Sequence, residues 1–144
     1  MSLRLEPVAV SLRVRPADLD GLGHVNNAAV LEYLEAGRWA WMDHHGINRG
    51  HAILPVVSRI EIDYVREIPY GDVRVVTALG EGTGEGAIDM EDLSYRASFR
   101  QEVSLVPSAT VVARANVAIA FIDRTTRTLC TLQDFVRASA APPG

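Results

Sequence analysis

No lysine occurs in this chain of 144 residues, and all 14 basic side chains are arginine. The missing lysine reads as compositional bias. The arginines are scattered, without a run or a stripe, which argues against binding the phosphate backbone of DNA or RNA. There is one cysteine, Cys130. An internal disulfide is therefore excluded, which suits a reducing, cytoplasmic compartment. Cys130 sits in the polar stretch TLCTLQD with no histidine nearby, so it reads as an incidental thiol. No apolar run approaches the ~18 residues needed to span a membrane. The opening MSLRLEPVAV lacks the long apolar stretch and small-residue cleavage site of a signal peptide. There is no Walker-type loop and no GxGxxG after a strand. The Gly-rich stretch GEGTGEG at 80–86 carries two Glu that repel phosphate, so it reads as a hairpin loop.

What is present is enough for one domain over residues 1–144, with 48% hydrophobic residues and a net charge of −4. Residues 8–15 alternate, with Val8, Val10, Leu12 and Val14 on one face, and predict a strand. Residues 16–24 hold Pro, two Gly and two Asp, and predict a loop. A long helix is expected over 26–45, with Val30, Leu34, Gly37 and Trp41 on one stripe. Gly37 in that stripe implies close approach to a sheet, and Gly46 a C-terminal stop. Strands are expected at 56–66, 73–79, 88–100 and 109–122, and Thr131 with Asp134 opens a short terminal helix. Residues 136–144 are expected to fray. Short turns between consecutive strands imply an antiparallel sheet. The fold class is α+β, about five strands wrapped around one long helix.

Chemistry concentrates in Asp18-Leu19-Asp20-Gly21-Leu22-Gly23-His24-Val25-Asn26-Asn27, the loop feeding the long helix. The first N–H groups of a helix have no intrahelical partner and can hold a developing oxyanion. A carboxylate just upstream can attack a carbonyl or deprotonate a water. His24 can orient that water or move a proton. The same residues also have structural readings: Asx-turns for Asp18 and Asp20, an N-cap for Asn26 or Asn27, a backbone-bonded imidazole for His24. No metal site is expected, because His44 and His45 are adjacent and point about 100° apart on a helix. Glu35 and Arg38 have the spacing of a pair on a solvated or interface face. Tyr33, Trp39 and Trp41 read as core or dimer contacts.

The segment RPADLDGLGHVNNAAVLEYLEAGRWAWM resembles the opening of the hot-dog-fold thioesterases, in the 4-hydroxybenzoyl-CoA thioesterase-like group. LPVVSRIEIDYVREIPYGD and RANVAIAFIDRTTR are similar to later pieces of the same group, so the resemblance covers nearly the whole chain. It implies a homodimer or homotetramer with interfacial sites, hydrolysing acyl-CoA without a cofactor. It also implies that Asp20 is the catalytic carboxylate, that the oxyanion is held by a backbone N–H at about Asn27, and that His24 helps. The 4-hydroxybenzoyl enzymes themselves carry Tyr at the position of Asn27. Plant acyl-carrier-protein thioesterases carry Asn at the position of Leu22. Arg59, Arg66 and Arg124 are the candidates for the CoA phosphates. Two other readings stay open. One is a non-catalytic acyl- or carrier-binding module. The other is a hot-dog hydratase or dehydratase, although the S-G-D-x-N-P-x-H type of motif is missing.

Overall fold

The computed structural model describes residues 2–47, 52–80 and 86–140. Its elements are β1 (Ser2–Arg4), β2 (Val8–Arg13), α1 (Asn27–His44), β3 (Ile53–Tyr64), β4 (Asp72–Gly80), β5 (Ala87–Asp89), β6 (Arg96–Val106), β7 (Val111–Asp123), β8 (Leu129–Cys130) and α2 (Leu132–Ala140). The alternating strands pair antiparallel in the order β2-β4-β6-β7-β3, with β8 added on β7. One face is apolar. It carries Val73, Val75, Phe99, Val103, Val117, Ile119 and Phe121, all buried. The opposite face carries Arg74, Arg100 and Arg114, all exposed. Helix α1 lies on the apolar face, against β2, β4 and β6. This is the hot-dog arrangement that the resemblance implied. Strand β3 is left as an edge, with Val56 and Val57 exposed along it.

Helix α1 begins where Asn26, still extended, accepts Ala28 N–H on its side chain at 3.0 Å. It ends before Gly46, whose φ of +71° is the left-handed conformation expected after a helix. His44 and His45 then anchor this end to the side chain and backbone carbonyl of Glu6, at 2.9 and 2.8 Å. The predicted stripe is the buried one: Val30, Leu34, Gly37 and Trp41. Fully burying a side chain such as Leu34 contributes about 2 kcal/mol. Gly37 is the closest approach to the sheet. A Cβ there would lie 2.6 Å from Val75 Cγ1, 2.8 Å from Thr77 Oγ1 and 2.9 Å from Gln101 Nε2. Gly37→Ala is therefore expected to destabilise the protein by about 1–2 kcal/mol. Overpacking outweighs the helix propensity that alanine gains. A lower urea midpoint at unchanged slope is the expected result; an unchanged midpoint contradicts the close contact.

Three expectations change. The strand expected over 88–100 is broken into β5 and β6, and Leu93 and Tyr95, in the break, are exposed. The cause is Gln133. Its amide donates to Asp89 O and Asp92 O at 3.0 and 2.8 Å, and its oxygen accepts Ser94 N–H at 3.0 Å, which holds the chain out of the ladder. The freed β5 pairs instead with β1, a strand the alternation pattern had not suggested. The second change is Arg38, which is buried and hydrogen-bonded to Gln101 rather than lying on a solvated face, while Glu35 acts on it only through space. The third is the C-terminus. Helix α2 runs to Ala140, past the expected start of fraying at 136, and Phe135 packs on Phe121 at 4.9 Å between ring centroids. Its start is the predicted one, with reciprocal Thr131 and Asp134 bonds of 3.2 and 2.9 Å. Most of the Gly-rich loop expected at 80–86, and the tail after Ala140, lie outside the described residues.

Candidate active site

The loop between β2 and α1 treats its two carboxylates in opposite ways. Asp18 closes a single 3-10 turn, Pro16–Asp18, and is only 3% exposed. Its Oδ1 accepts Arg15 Nε and Nη2 at 3.0 and 2.7 Å. Its Oδ2 accepts Arg15 N–H at 2.9 Å and the Tyr33 hydroxyl at 2.6 Å. Burial pushes this carboxyl up, but the Arg15 and Tyr33 bonds outweigh it and hold the pKa at about 2. Its backbone carbonyl accepts Asn26 N–H at 2.7 Å, so Asp18 sets the entry to α1. With four donors on one carboxylate, Asp18 has no oxygen left for chemistry.

Asp20 is exposed. Its Oδ1 accepts Leu22 N–H at 2.8 Å and His24 N–H at 3.1 Å. Its own N–H donates to His24 O at 2.7 Å. The left-handed Gly23, φ +82°, lets the chain fold back this tightly. The His24 and Leu22 N–H groups hold the Asp20 carboxyl below its ordinary range. It is ionised at neutral pH, with its second oxygen outside this ring of bonds. The loop is tied to the segment after β3. His24 bridges Pro69, Val25 N–H donates to Ile68 O at 2.8 Å, and His24 Nε2 stands 3.2 Å from Glu67 Oε2.

The start of α1 has three free donors, and two are claimed internally. Ala28 N–H goes to the Asn26 side chain and Ala29 N–H to Asn26 O at 2.9 Å. That leaves Asn27 N–H, at the first helical residue, with no acceptor among the described residues. Tyr64, at the end of β3, donates its hydroxyl to Asn27 O at 3.0 Å and so holds the next peptide, Asn27–Ala28, from the outside. Sequence reasoning missed Tyr64. Its place in an alternating strand marked only a face, and no local signal tied it to a residue 37 positions earlier. Asp20 and His24 are bonded together in one loop, and Asn27 opens the helix that follows it.

The three arginines are not. Arg59 lies mid-way along β3 and pairs with Glu61. Arg66 follows the end of β3, where its N–H donates to Val112 O at 3.1 Å. Arg124 lies beside the beginning of β3, its N–H on Ala52 O at 2.7 Å. Arg59 is six residues from the beginning of β3 and five from its end, roughly 20 and 17 Å of strand. Only Arg66 stands near the Asp20 loop in one protomer. A concavity of about 550 Å³ includes Arg59, Arg96, Asn116 and Gln133, but it opens on the outer face of the sheet, away from Asp20. Cys130 stays a bystander. Burial and the carboxylates of Asp123 and Asp134 push its thiol up, against the reactive thiolate. Among the described residues no group of three or more His, Cys, Asp or Glu is placed to hold a metal ion.

A sheet wrapped around one long helix, with a carboxylate-bearing loop at that helix's start, is the hot-dog arrangement. The chain belongs to the thioesterase-like superfamily, whose family model matches residues 14–140. It is 31% identical over 130 residues to the long-chain acyl-CoA thioesterase FadM of Escherichia coli strain K12, covering 88% of this chain and 91% of the relative. Among solved structures it is similar to YbaW, a probable thioesterase from Escherichia coli, at TM-score 0.69 and 27% identity, covering 91% and 94% of the two chains. The fold is shared with Slr0204, a 1,4-dihydroxy-2-naphthoyl-CoA thioesterase from Synechocystis, at TM-score 0.71 and 18% identity, covering 93% and 95%. This chain is a thioester hydrolase.

Proposed function

We propose that the protein hydrolyses acyl-CoA thioesters to a carboxylic acid and CoA. The observation that carries this reading is an ionised, exposed Asp20 in the loop that leads into α1, whose first N–H, that of Asn27, has no acceptor among the described residues. The thioester carbonyl oxygen docks on Asn27 N–H, where the positive end of α1 stabilises the developing oxyanion. Asp20 acts at the carbonyl carbon. Asp20 is ionised at neutral pH and its Oδ2 is free to attack the carbon directly or to deprotonate a water that does. The thiolate then leaves without needing a strong general acid; after direct attack, water hydrolyses the mixed anhydride, and after attack by water the acid is released at once. His24, tied to Glu67, shapes the loop and aids the second step. The names of similar proteins support the substrate class. The test is release of free thiol from a panel of acyl-CoAs of graded length. Turnover of at least one acyl-CoA is expected, and none across the panel overturns the reading.

The working unit in this proposal is at least a dimer. Strand β3, paired with β7 on one side, presents its other edge along 12 residues, and Leu22, Tyr64, Val65 and Tyr70 expose apolar surface around the loop. Antiparallel pairing of two β3 strands about their midpoint brings the start of one against the end of the other. Arg66 then meets the partner's Arg124, which assembles the cationic site for the CoA phosphates that one protomer lacks. Light scattering at micromolar protein is expected to give at least twice the chain's 15.7 kDa. A mass near 15.7 kDa contradicts the dimer. A single Cys130 fits work in a cytoplasmic, reducing compartment. No helix among the described residues is long and apolar enough to cross a membrane.

A further inference from the structure

Arg38 is a charge placed where apolar packing prevails. It is only 7% exposed. Its Nη1 donates to Gln101 Oε1 at 3.1 Å, and it forms no ion pair among the described residues. The nearest carboxylate on α1, Glu35, acts on Arg38 through space without an ion-pair contact, and its Oε1 accepts Trp39 Nε1 at 3.3 Å. Gln101 cannot swing to offer more. Its amide nitrogen is held by Leu34 O and Thr77 Oγ1, both at 2.8 Å. A mostly buried guanidinium with one neutral acceptor gains from an anion at its remaining nitrogens. The unused nitrogens are not sealed in. Among the described residues, Trp41 Nε1 is the one fully buried side-chain polar atom without a partner, so the free Arg38 nitrogens still reach solvent.

The position of Arg38 points to the anion. It follows Asn27 by eleven residues, close to three turns, so both lie on the same side of α1. Its side chain leans toward the helix N-terminus and meets Gln101 at the level of Leu34. That level is roughly 10 Å from the Asn27 N–H along the axis. Leu31 lies between them on the same side, partly exposed at 38%. An extended carbon chain advances roughly 1.25 Å per C–C bond, so about eight carbons span the gap.

We propose that Arg38 binds a carboxylate at the far end of the acyl group, making CoA monothioesters of medium-length dicarboxylic acids the preferred substrates. This rests on the thioesterase reading above. Gln101 holds the guanidinium, Leu31 flanks the methylenes, and Asn27 N–H takes the thioester oxygen at the other end. The test compares kcat/KM for the CoA monothioester of octanedioic acid with that for octanoyl-CoA. The wild type is expected to favour the dicarboxylic substrate at least about tenfold, the effect of one charge-assisted pair. Arg38→Met is expected to bring the ratio to about one, and Arg38→Lys to restore part of it. A wild-type ratio at or below one overturns the proposal without any variant, so it stays testable even when a variant does not fold. A ratio unchanged in Arg38→Met overturns it too. If Arg38→Met instead turns the protein monomeric by light scattering, the anion belongs to a partner subunit and the proposal fails. Failure of the thioesterase reading looks different, because then neither substrate releases CoA.

Discussion

Asp20→Asn is expected to lower CoA release from the best acyl-CoA substrate by at least about a hundred-fold, through kcat rather than KM. The asparagine oxygen can still accept Leu22 N–H and His24 N–H, so the loop keeps its shape. Asn27 N–H is untouched, so the thioester still binds. What is lost is the carboxylate that acts at the carbonyl carbon. Steady-state release of free thiol, with a melting curve for each protein, separates chemistry from folding. A variant that melts with the wild type but turns over at the wild-type rate would remove Asp20 from the mechanism. The acid limb of the wild-type kcat/KM profile should lie below the ordinary carboxylate range, because the loop N–H groups stabilise the ionised form.

Asp18→Asn is expected to act on stability instead, costing about 3 kcal/mol at neutral pH. The carboxylate accepts three bonds from Arg15 and one from Tyr33, and an amide nitrogen would face donors on one side. The pH dependence has a definite sign. Asp18 is held at about 2 in the folded protein, below its ordinary 3.8. The folded state thus prefers the deprotonated form. The stabilisation is complete above about pH 4 and is lost as pH falls from there to about 2. Denaturant titrations of both proteins should show a gap at pH 7 that closes toward pH 2. A gap that stays constant, or widens on acidification, rules out the Arg15–Asp18–Tyr33 cluster as its source. Hydrolysis by the folded variant should fall far less than in Asp20→Asn.

Local signals carried much of this molecule. The limits of α1 follow from the side chain of Asn26 and the left-handed Gly46, residues that act on their own neighbours. The alternation in β2, β3, β4 and β7 and the Thr131–Asp134 box are equally local. So is the crowding of Asp20, His24 and Asn27 into one loop and one helix start. Tertiary structure decided what depends on residues far apart in the chain. Asp18 and Asp20 are alike in sequence. Tyr33 and Arg15 capture the first and leave the second exposed only once α1 packs behind the loop. The break between β5 and β6 depends on Gln133, some forty residues later. The burial of Arg38 depends on Gln101, 63 residues away. The hold of Tyr64 on Asn27 depends on the end of β3 reaching the helix start. A periodic pattern names the face a side chain occupies, because that follows from backbone geometry alone. Which group it meets there is set by contacts between distant segments, and those exist only in the folded chain.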